Sequence, residues 1–191
     1  MVFRSKLLIF IPIGTLGVSY ITQAAEWSTV RGSSSVTFVA TQEGSQFQGL
    51  FETFSAEVDF DTADPNSGQI IGIVEPASVN SGDAERDATL LDRDWFDPNN
   101  YPESKFESEQ IEEMEDGSYR AHAQLTLRGI TNPVVMDFTF ESSETSGINR
   151  GNLSGTVKIN RLDFGVGQGF WADTSWVANE VNVRVNLSLK Q

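Results

Sequence analysis

The sequence predicts an all-β domain, an antiparallel sandwich or barrel, with one short helix. Eight or nine segments alternate apolar and polar residues with a period of two, which is the pattern of strands that bury one face. The connections between them are mostly short, and the Asp116-Gly117 pair favours a tight hairpin turn. The one helical stretch lies mid-chain rather than between parallel strands, which disfavours α/β topologies.

The alternating segments define the expected strands. They cover 27–31, 35–41, 46–61, 69–75, 104–111, 118–128, 134–140, 153–159 and 181–189, with a polar loop over 142–152. Phe47 and Phe51 share one parity in segment 46–61, whereas Phe54 and Val58 hold the other. Such a one-residue slip is typical of a β-bulge or a sharp bend where a sheet curls to close. The pattern leaves open which parity faces inward.

The predicted helix lies in segment 84–97. Apolar residues recur there at spacings of four, three and four, so one face collects Ala84, Ala88, Leu91 and Trp95. Side-chain oxygens that suit an N-cap stand just upstream, on Asn80, Ser81 and Asp83. Asp97 precedes Pro98, which marks the stop. We expect this helix and the aromatic-rich loop up to Phe106 to cover part of a barrel that holds an apolar ligand.

Residues 1–24 are predicted to be a signal peptide. Arg4 and Lys6 form a positively charged start, a mostly apolar stretch follows, and Thr22 and Ala24 are small residues that suit cleavage after Ala24. The apolar stretch is shorter than the roughly 20 residues that a membrane span needs. We therefore expect a periplasmic barrel domain over 25–191 without a stable membrane anchor. The alternative is an uncleaved N-terminal anchor.

Composition narrows the classes of partner and chemistry. The chain has a formal charge of −14 and no basic stripe, so it repels phosphate backbones and nucleic acid is excluded as a partner. It has no cysteine and one histidine, His122, on the polar face of its strand. This excludes disulfides, cysteine nucleophiles and the usual zinc sites, so no metal, cofactor or catalytic residue is predicted.

The inward faces mix large and small residues. The small ones are Gly49, Ala56, Gly72, Ala121, Ala123 and Gly155. An eight-stranded barrel is just wide enough to be filled by side chains or to hold one small ligand. Small inward residues favour a cavity, unless large neighbours interdigitate over them as in packed cores. Periodicity alone leaves both interpretations open.

Two arginine–aspartate pairs stand near aromatic residues in the sequence: Arg86-Asp87 and Arg161-x-Asp163. One interpretation is that bidentate Arg–carboxylate contacts join the helix to the barrel, and this is the favoured one because paired carboxylates satisfy such arginines. The other is a polar rim that receives the head group of a ligand.

A series of short motifs spans essentially the whole chain after the predicted signal peptide. The motifs are Phe47-Gln48-Gly49-Leu50-Phe51, Val58-Asp59-Phe60-Asp61, Ala77-Ser78-Val79, Arg86-Asp87 with Leu90, Asp94-Trp95-Phe96-Asp97, Tyr101-Pro102, Phe106-Glu107-Ser108, Leu125-Thr126-Leu127-Arg128-Gly129-Ile130-Thr131-Asn132-Pro133-Val134, Asn160-Arg161-Leu162-Asp163-Phe164-Gly165 and Glu180-Val181-Asn182-Val183. Their order resembles the YceI-like family of bacterial periplasmic proteins, which are also called polyisoprenoid-binding or lipid-binding proteins.

The resemblance implies an extended eight-stranded antiparallel barrel, similar to lipocalins, with one short helix near one end. It also implies a long apolar channel for a polyisoprenoid, an isoprenoid quinone or a fatty-acid-like amphiphile, and no family-wide catalytic residue. The chain departs from the family at Thr89, where a histidine is usual, at Leu91, where a basic residue is common, and at Trp95. If the family histidine holds a head group, this protein holds it differently or binds another one.

The functional hypothesis is a periplasmic carrier that sequesters one small amphiphilic lipid. The predicted channel residues are Phe54, Val58, Leu125, Phe138, Val157 and Val183. The predicted mouth or lid residues are Trp95, Phe96, Tyr101, Phe164 and Trp171. The rivals are a lipid-modifying enzyme that uses Asp87, Asp94 or Asp163 as acid or base, and a protein-interaction module with a filled barrel. The sequence does not decide between a monomer and a homodimer.

The signal-peptide prediction is checked by intact mass. We expect the protein recovered after export to begin at Ala25. A recovered chain that retains residues 1–24 would contradict the prediction and favour the N-terminal anchor.

Overall fold

The structure is a computed structural model that describes residues 26–30 and 32–191 of the 191-residue chain. The signal peptide predicted for residues 1–24 lies outside this part. The strands are β1 (Glu26–Thr29), β2 (Ser35–Gln42), β3 (Ser45–Phe51), β4 (Phe54–Asp59), β5 (Gln69–Val74), β6 (Val79–Asn80), β7 (Ser104–Glu113), β8 (Tyr119–Leu127), β9 (Ile130–Thr145), β10 (Ile148–Asn160) and β11 (Glu180–Lys190). The helix α1 (Ala84–Leu90) is joined by 3-10 helices at Pro65–Ser67, Pro76–Ser78, Arg161–Phe164 and Gly169–Ala172.

The strands close into an antiparallel barrel of eight. β1 and β2 act as one barrel strand, because both pair with β11, and β3 and β4 act as a second, because they pair with β2 and β1 respectively. The order continues through β5, β7, β8, β9 and β10 to β11. The short β6 pairs only with the end of β3. The predicted eight-stranded barrel with one short helix is confirmed.

A corner at residues 52–53 explains the change of phase in segment 46–61. The chain ends β3 at Phe51 and starts β4 at Phe54, and the main-chain N–H of Glu52 donates to the Ser78 carbonyl at 3.0 Å. Phe51 faces the interior on β3, where its ring lies 5.6 Å from that of Phe38. Both parities therefore face inward, one on each side of the corner.

The helix is shorter than predicted and presents a different face. Asp83 is its N-cap, since its carboxylate accepts from the N–H groups of Glu85 and Arg86, but the helix ends at Leu90 rather than at Asp97. The predicted face was wrong: Ala84, Ala88 and Leu91 are exposed and Leu90 is buried. Tight turns follow Leu90, whose carbonyl accepts from the Phe96 N–H at 3.0 Å. These turns, and not helical periodicity, carry Trp95 and Phe96 inward. No helix in the described part of the chain is long and apolar enough to cross a membrane.

The polar segment 142–152 forms strand rather than the predicted loop. β9 and β10 remain paired out to Thr145 and Ile148. Ser146 and Gly147 make the turn with φ values of 55° and 76°, the left-handed geometry that is typical of a tight hairpin. Residues 141–150 are exposed wherever their burial is described, so no apolar alternation marks this extension.

Aromatic rings fill the end of the barrel that lies near the β9–β10 hairpin. Phe60 is at their centre, with ring centroids 4.9 Å from Tyr119, 5.5 Å from Phe138 and 5.0 Å from Phe140. The Trp27 indole donates to the Phe60 carbonyl at 2.9 Å, which satisfies its only polar group. We call Trp27, Phe60, Tyr119, Phe138 and Phe140 the aromatic plug. The interior is closed at this end.

Two glycines on inward faces differ in the room beside them. A Cβ added to Gly49 would collide with the Phe38 ring, whereas one added to Gly72 would lie 3.8 Å from the Phe106 Cβ, an ordinary contact. We expect Gly49→Ala to lower the free energy of unfolding by about 1–3 kcal/mol, as overpacking does. The control Gly72→Ala should leave it unchanged or raise it by up to about 1 kcal/mol, because alanine costs less backbone entropy. Urea unfolding followed by tryptophan fluorescence checks both, and equal effects would contradict the packing described.

Candidate functional site

An apolar cavity occupies the barrel between the aromatic plug and α1. Its central section has a volume of about 120 Å³ and its helix-side section about 140 Å³. The two sections meet at a constriction formed by Val36, Val74, Leu125 and Val183, which line both. An apolar cavity of about 150 Å³ stays dry and takes up a molecule such as benzene. Each section is therefore large enough for one small apolar group.

The small inward residues act in two different ways. Ala56 and Gly72 line the central section, where they leave the space open. Gly49 and Gly155 lie under Phe38 and Met136, which interdigitate over them as in a packed core. Both interpretations of the small residues are therefore realised, in different parts of one barrel.

The predicted channel residues divide between the cavity and the aromatic plug. Leu125 and Val183 lie at the constriction, and Phe54 and Val157 line the central section. Val58 and Phe138 also point inward, but they are buried in the packed core at the plug end and border neither section.

The helix-side section is closed by α1 and the turns that follow it. Leu90, Trp95 and Phe96 line it from above, so two of the predicted lid residues border the cavity. Trp171 supports the lid from behind, with its ring centroid 5.5 Å from that of Trp95.

The other two predicted lid residues do not border the cavity. Phe164 is buried beside β9 and β10 and faces an outer groove between these strands. The half-buried Tyr101 packs under the Arg128 guanidinium, which lies 5.4 Å from its ring centre.

The guanidinium of Arg161 lies beside the helix-side section and is only 2% exposed. All of its hydrogen bonds go to main-chain carbonyls, those of Val166, Gly167, Trp171, Val177 and Ala178, at 2.6–3.1 Å. Burial lowers the pKa of Arg161. The expected pairing with Asp163 is not formed, because five carbonyls occupy the donors and the exposed Asp163 accepts from Asn160 at 3.2 Å instead.

Arg86 joins α1 to the barrel without a barrel carboxylate. Its guanidinium lies 4.1 Å above the Phe47 ring centre and 3.4 Å from the Gln42 amide oxygen. Its ion pair with Asp83, at 3.7 Å, stays within the first turn of its own helix. Asp87 accepts from the Ser81 N–H at 2.8 Å, so neither member of this pair forms the expected bidentate contact.

A polar cleft of about 200 Å³ lies on the outer side of α1. It shares Phe47, Leu90, Trp95 and Val177 with the helix-side section, so these four side chains form the wall between the cleft and the cavity. The Trp95 indole N–H is buried and has no acceptor among the described residues. The wall therefore contains one unsatisfied donor next to the apolar cavity.

Several lining residues were not selected from the sequence. Val36 and Phe106 lie on strands whose alternation is clear, and following that alternation along each strand would have found them. Val177 lies in a loop without periodicity, and only its bridge to Gln42 brings it to the cavity. Leu90 was missed because the helical face was placed one residue away.

The described carboxylates do not form a metal-binding cluster, and the three candidate aspartates lie outside the cavity lining. No group of three or more histidine, aspartate or glutamate side chains in 26–30 and 32–191 is placed to hold a metal ion. Asp87, Asp94 and Asp163 border neither section of the cavity. His122 is on the surface, 3.2 Å from Glu112.

The sequence and the fold are similar to those of known proteins. Residues 27–189 match the family model described as a YceI-like domain. A UPF0312 protein of Vibrio parahaemolyticus is 26% identical over 159 residues, which are 82% of each chain. BcnA of Burkholderia cenocepacia superposes with a TM-score of 0.77 at 31% identity, covering 84% of this chain and 98% of BcnA. A polyisoprenoid binding domain from Saccharophagus degradans shares the fold, with a TM-score of 0.63 at 15% identity over 85% of this chain and 97% of that domain.

Replacing Arg161 tests its role in holding the connection between β10 and β11. We expect Arg161→Met to lower the free energy of unfolding by at least about 3 kcal/mol, because it leaves buried carbonyls without donors. Arg161→Lys should restore little of this, since three donors on a point charge cannot serve five carbonyls in one plane.

The matched control is Arg184→Met, because Arg184 is exposed on β11. It should change stability by less than about 0.5 kcal/mol. Chemical unfolding measures all three variants. An effect of Arg161→Met as small as that of Arg184→Met would contradict the structural role of Arg161.

Proposed function

The chain belongs to the YceI-like family, and we propose that it is a lipid-binding protein that holds one amphiphilic molecule inside the barrel. The ligand classes are a polyisoprenoid, an isoprenoid quinone or a fatty-acid-like chain. The observation that carries the proposal is the apolar cavity, closed by the aromatic plug at one end and by α1 at the other. The shared fold with the polyisoprenoid binding domain of Saccharophagus degradans supports the choice of ligand.

Burial of the ligand's apolar surface is the source of affinity. Each Å² removed from water contributes about 25 cal/mol before the cost of ordering the ligand. The cavity has room for two small groups, so a longer chain requires side chains at the constriction to change rotamer. Val74, Leu125 and Val183 are only half-buried there, which leaves them space to move.

The closed aromatic plug sets the orientation of the ligand. The tail points toward the plug, with Phe54, Leu125, Val157 and Val183 along its length and Val58 and Phe138 in the packing beyond it. The polar head lies on the helix side, where the Trp95 indole N–H has no acceptor within 26–30 and 32–191. A quinone or carbonyl oxygen satisfies such a donor, and a plain hydrocarbon does not.

The cellular role that fits is a periplasmic carrier or buffer. Its support is the predicted signal peptide of residues 1–24 together with a ligand that water does not dissolve. A homodimer is one arrangement in which such a carrier acts, and native mass spectrometry of the protein reads the subunit count directly.

Two other functions are weighed against lipid binding. A lipid-modifying enzyme needs an acid or base beside the bound lipid, but Asp87, Asp94 and Asp163 lie away from the cavity lining. The enzyme function would be favoured if the protein converts a bound lipid and if Asp87→Asn or Asp163→Asn abolishes this conversion while the fold stays intact. A protein-interaction module needs a barrel that is filled by side chains. A purified protein that never takes up lipid would favour this function.

The deciding experiment combines native mass spectrometry with organic extraction of the purified protein. We expect a stoichiometric adduct whose extract is an isoprenoid, a quinone or a related amphiphile. A ligand-free mass, with no uptake when such lipids are offered in solution, would overturn the proposal.

Two variants that each add one aromatic ring, one at the constriction and one on the outer face, test whether the ligand lies inside the barrel. Val183→Phe adds a ring where the two sections meet, and we expect it to reduce lipid uptake at least about tenfold by removing the space for the chain. Val135→Phe adds the same ring to an exposed position on the outer face of β9 and should leave uptake unchanged. Circular dichroism confirms that both variants fold. Equal uptake by the two would place the ligand outside the barrel.

A further inference from the structure

We propose that Phe170 and Trp176 form a docking site for the surface of a zwitterionic lipid bilayer. We call these two residues the aromatic pair. The inference rests on the proposed lipid-binding function, because docking gives the carrier access to the membrane from which the lipid comes.

The aromatic pair is large, apolar and exposed. Phe170 is 63% exposed and Trp176 is 42% exposed, and their ring centroids are 5.6 Å apart. Both lie in the connection between β10 and β11, which covers the helix-side end of the barrel. Adjacent exposed aromatic rings cost free energy in water and mark an interaction surface.

The connection that carries the aromatic pair is firmly held. The Trp176 carbonyl accepts from the Glu43 N–H at 2.8 Å. Arg161 holds the carbonyls of the neighbouring Trp171 and Val177 at 2.6 Å and 2.7 Å. The two rings are therefore presented to the outside by a fixed scaffold, so little ordering entropy is lost when they bind.

The aromatic pair is continuous with the lipid cavity. The Phe170 ring lies 5.3 Å from that of Trp171, which in turn lies 5.5 Å from that of Trp95, a lining residue of the helix-side section. Rings thus follow one another from the exposed surface to the cavity wall. A bilayer that contacts Phe170 lies next to the proposed lid.

The chemistry of the two rings and the charges around them indicate which kind of membrane surface the aromatic pair binds. Tryptophan and other amphipathic rings favour the level of the lipid head groups. The only basic residue in segment 161–179 is the buried Arg161, and the exposed Arg93 on the neighbouring turn is paired with Asp94 at 3.7 Å. Asp173 lies between the two rings in sequence, and hydrogen bonds from Ser175 lower its pKa, which keeps it negative. A surface without net charge therefore fits, and an anionic one is repelled.

The test is flotation with phosphatidylcholine vesicles. The protein is expressed from its full coding sequence, and its N-terminus is read from the intact mass. We expect the wild type to float with the vesicles, weakly and reversibly, as contact through two side chains implies. The Phe170→Ser, Trp176→Ser double variant should partition at least about tenfold less.

The matched control is Ile148→Ser. Ile148 is 46% exposed but lies at the β9–β10 hairpin, on the opposite end of the barrel. This variant should float like the wild type. Replacing part of the phosphatidylcholine by phosphatidylglycerol should weaken binding of the wild type. Equal partition of all three proteins, no partition of the wild type, or a change of oligomeric state in place of vesicle binding would overturn the docking site.

Ligand content separates the docking site from the proposed function. The double variant should take up lipid offered in solution as completely as the wild type, because its changes lie outside the cavity. Vesicle binding that depends on the aromatic pair, in a protein that never takes up lipid, would leave the docking site standing and overturn the proposed function.

Discussion

The hydrogen bonds of the buried Arg161 guanidinium are the interaction on which the helix-side end of the barrel depends. The connection between β10 and β11 has only short 3-10 turns, so many of its carbonyls lack partners in regular structure. Arg161 supplies donors to five of them, and its guanidinium lies 5.4 Å from the Trp95 ring centre. One side chain thus joins the connection, the turns after α1 and the barrel wall. Its positive charge stays buried because five carbonyl dipoles replace the water around it.

The size of the inward side chains determines which part of the barrel is packed and which part keeps a cavity. Inward-facing residues alternate with outward-facing ones at both ends. At the plug end, large rings meet edge to face around Phe60 and leave no room. In the middle, Ala56 on β4 pairs with Gly72 on β5, and these two small residues leave space inside the barrel. The plug end is therefore a packed core, whereas the rest of the interior keeps a cavity.

Buried and half-buried polar side chains lie at the helix-side end of the barrel. Arg86, Arg161 and the Trp95 indole lie around the lid, and the exposed aromatic rings lie beside it. The aromatic plug end offers exposed polar hairpins instead. The barrel is sealed at the plug end and can adapt at the helix-side end. This arrangement suits a protein that takes up the tail of a lipid first and keeps the polar head of the lipid near the surface.

The sequence by itself determined most of the strands, the Asp83 N-cap and the family, because alternation, capping and motif order are local properties of the chain. It placed Val157 and Val183 inward without knowledge of any partner strand. Only the tertiary structure decided that Gly72 leaves a void whereas Gly49 is covered by Phe38. It also decided that Leu90 rather than Leu91 faces the barrel. Finally, it decided that Arg161 binds main-chain carbonyls rather than Asp163. Each of these depends on which atoms lie opposite across the barrel, and residues distant in sequence supply those atoms.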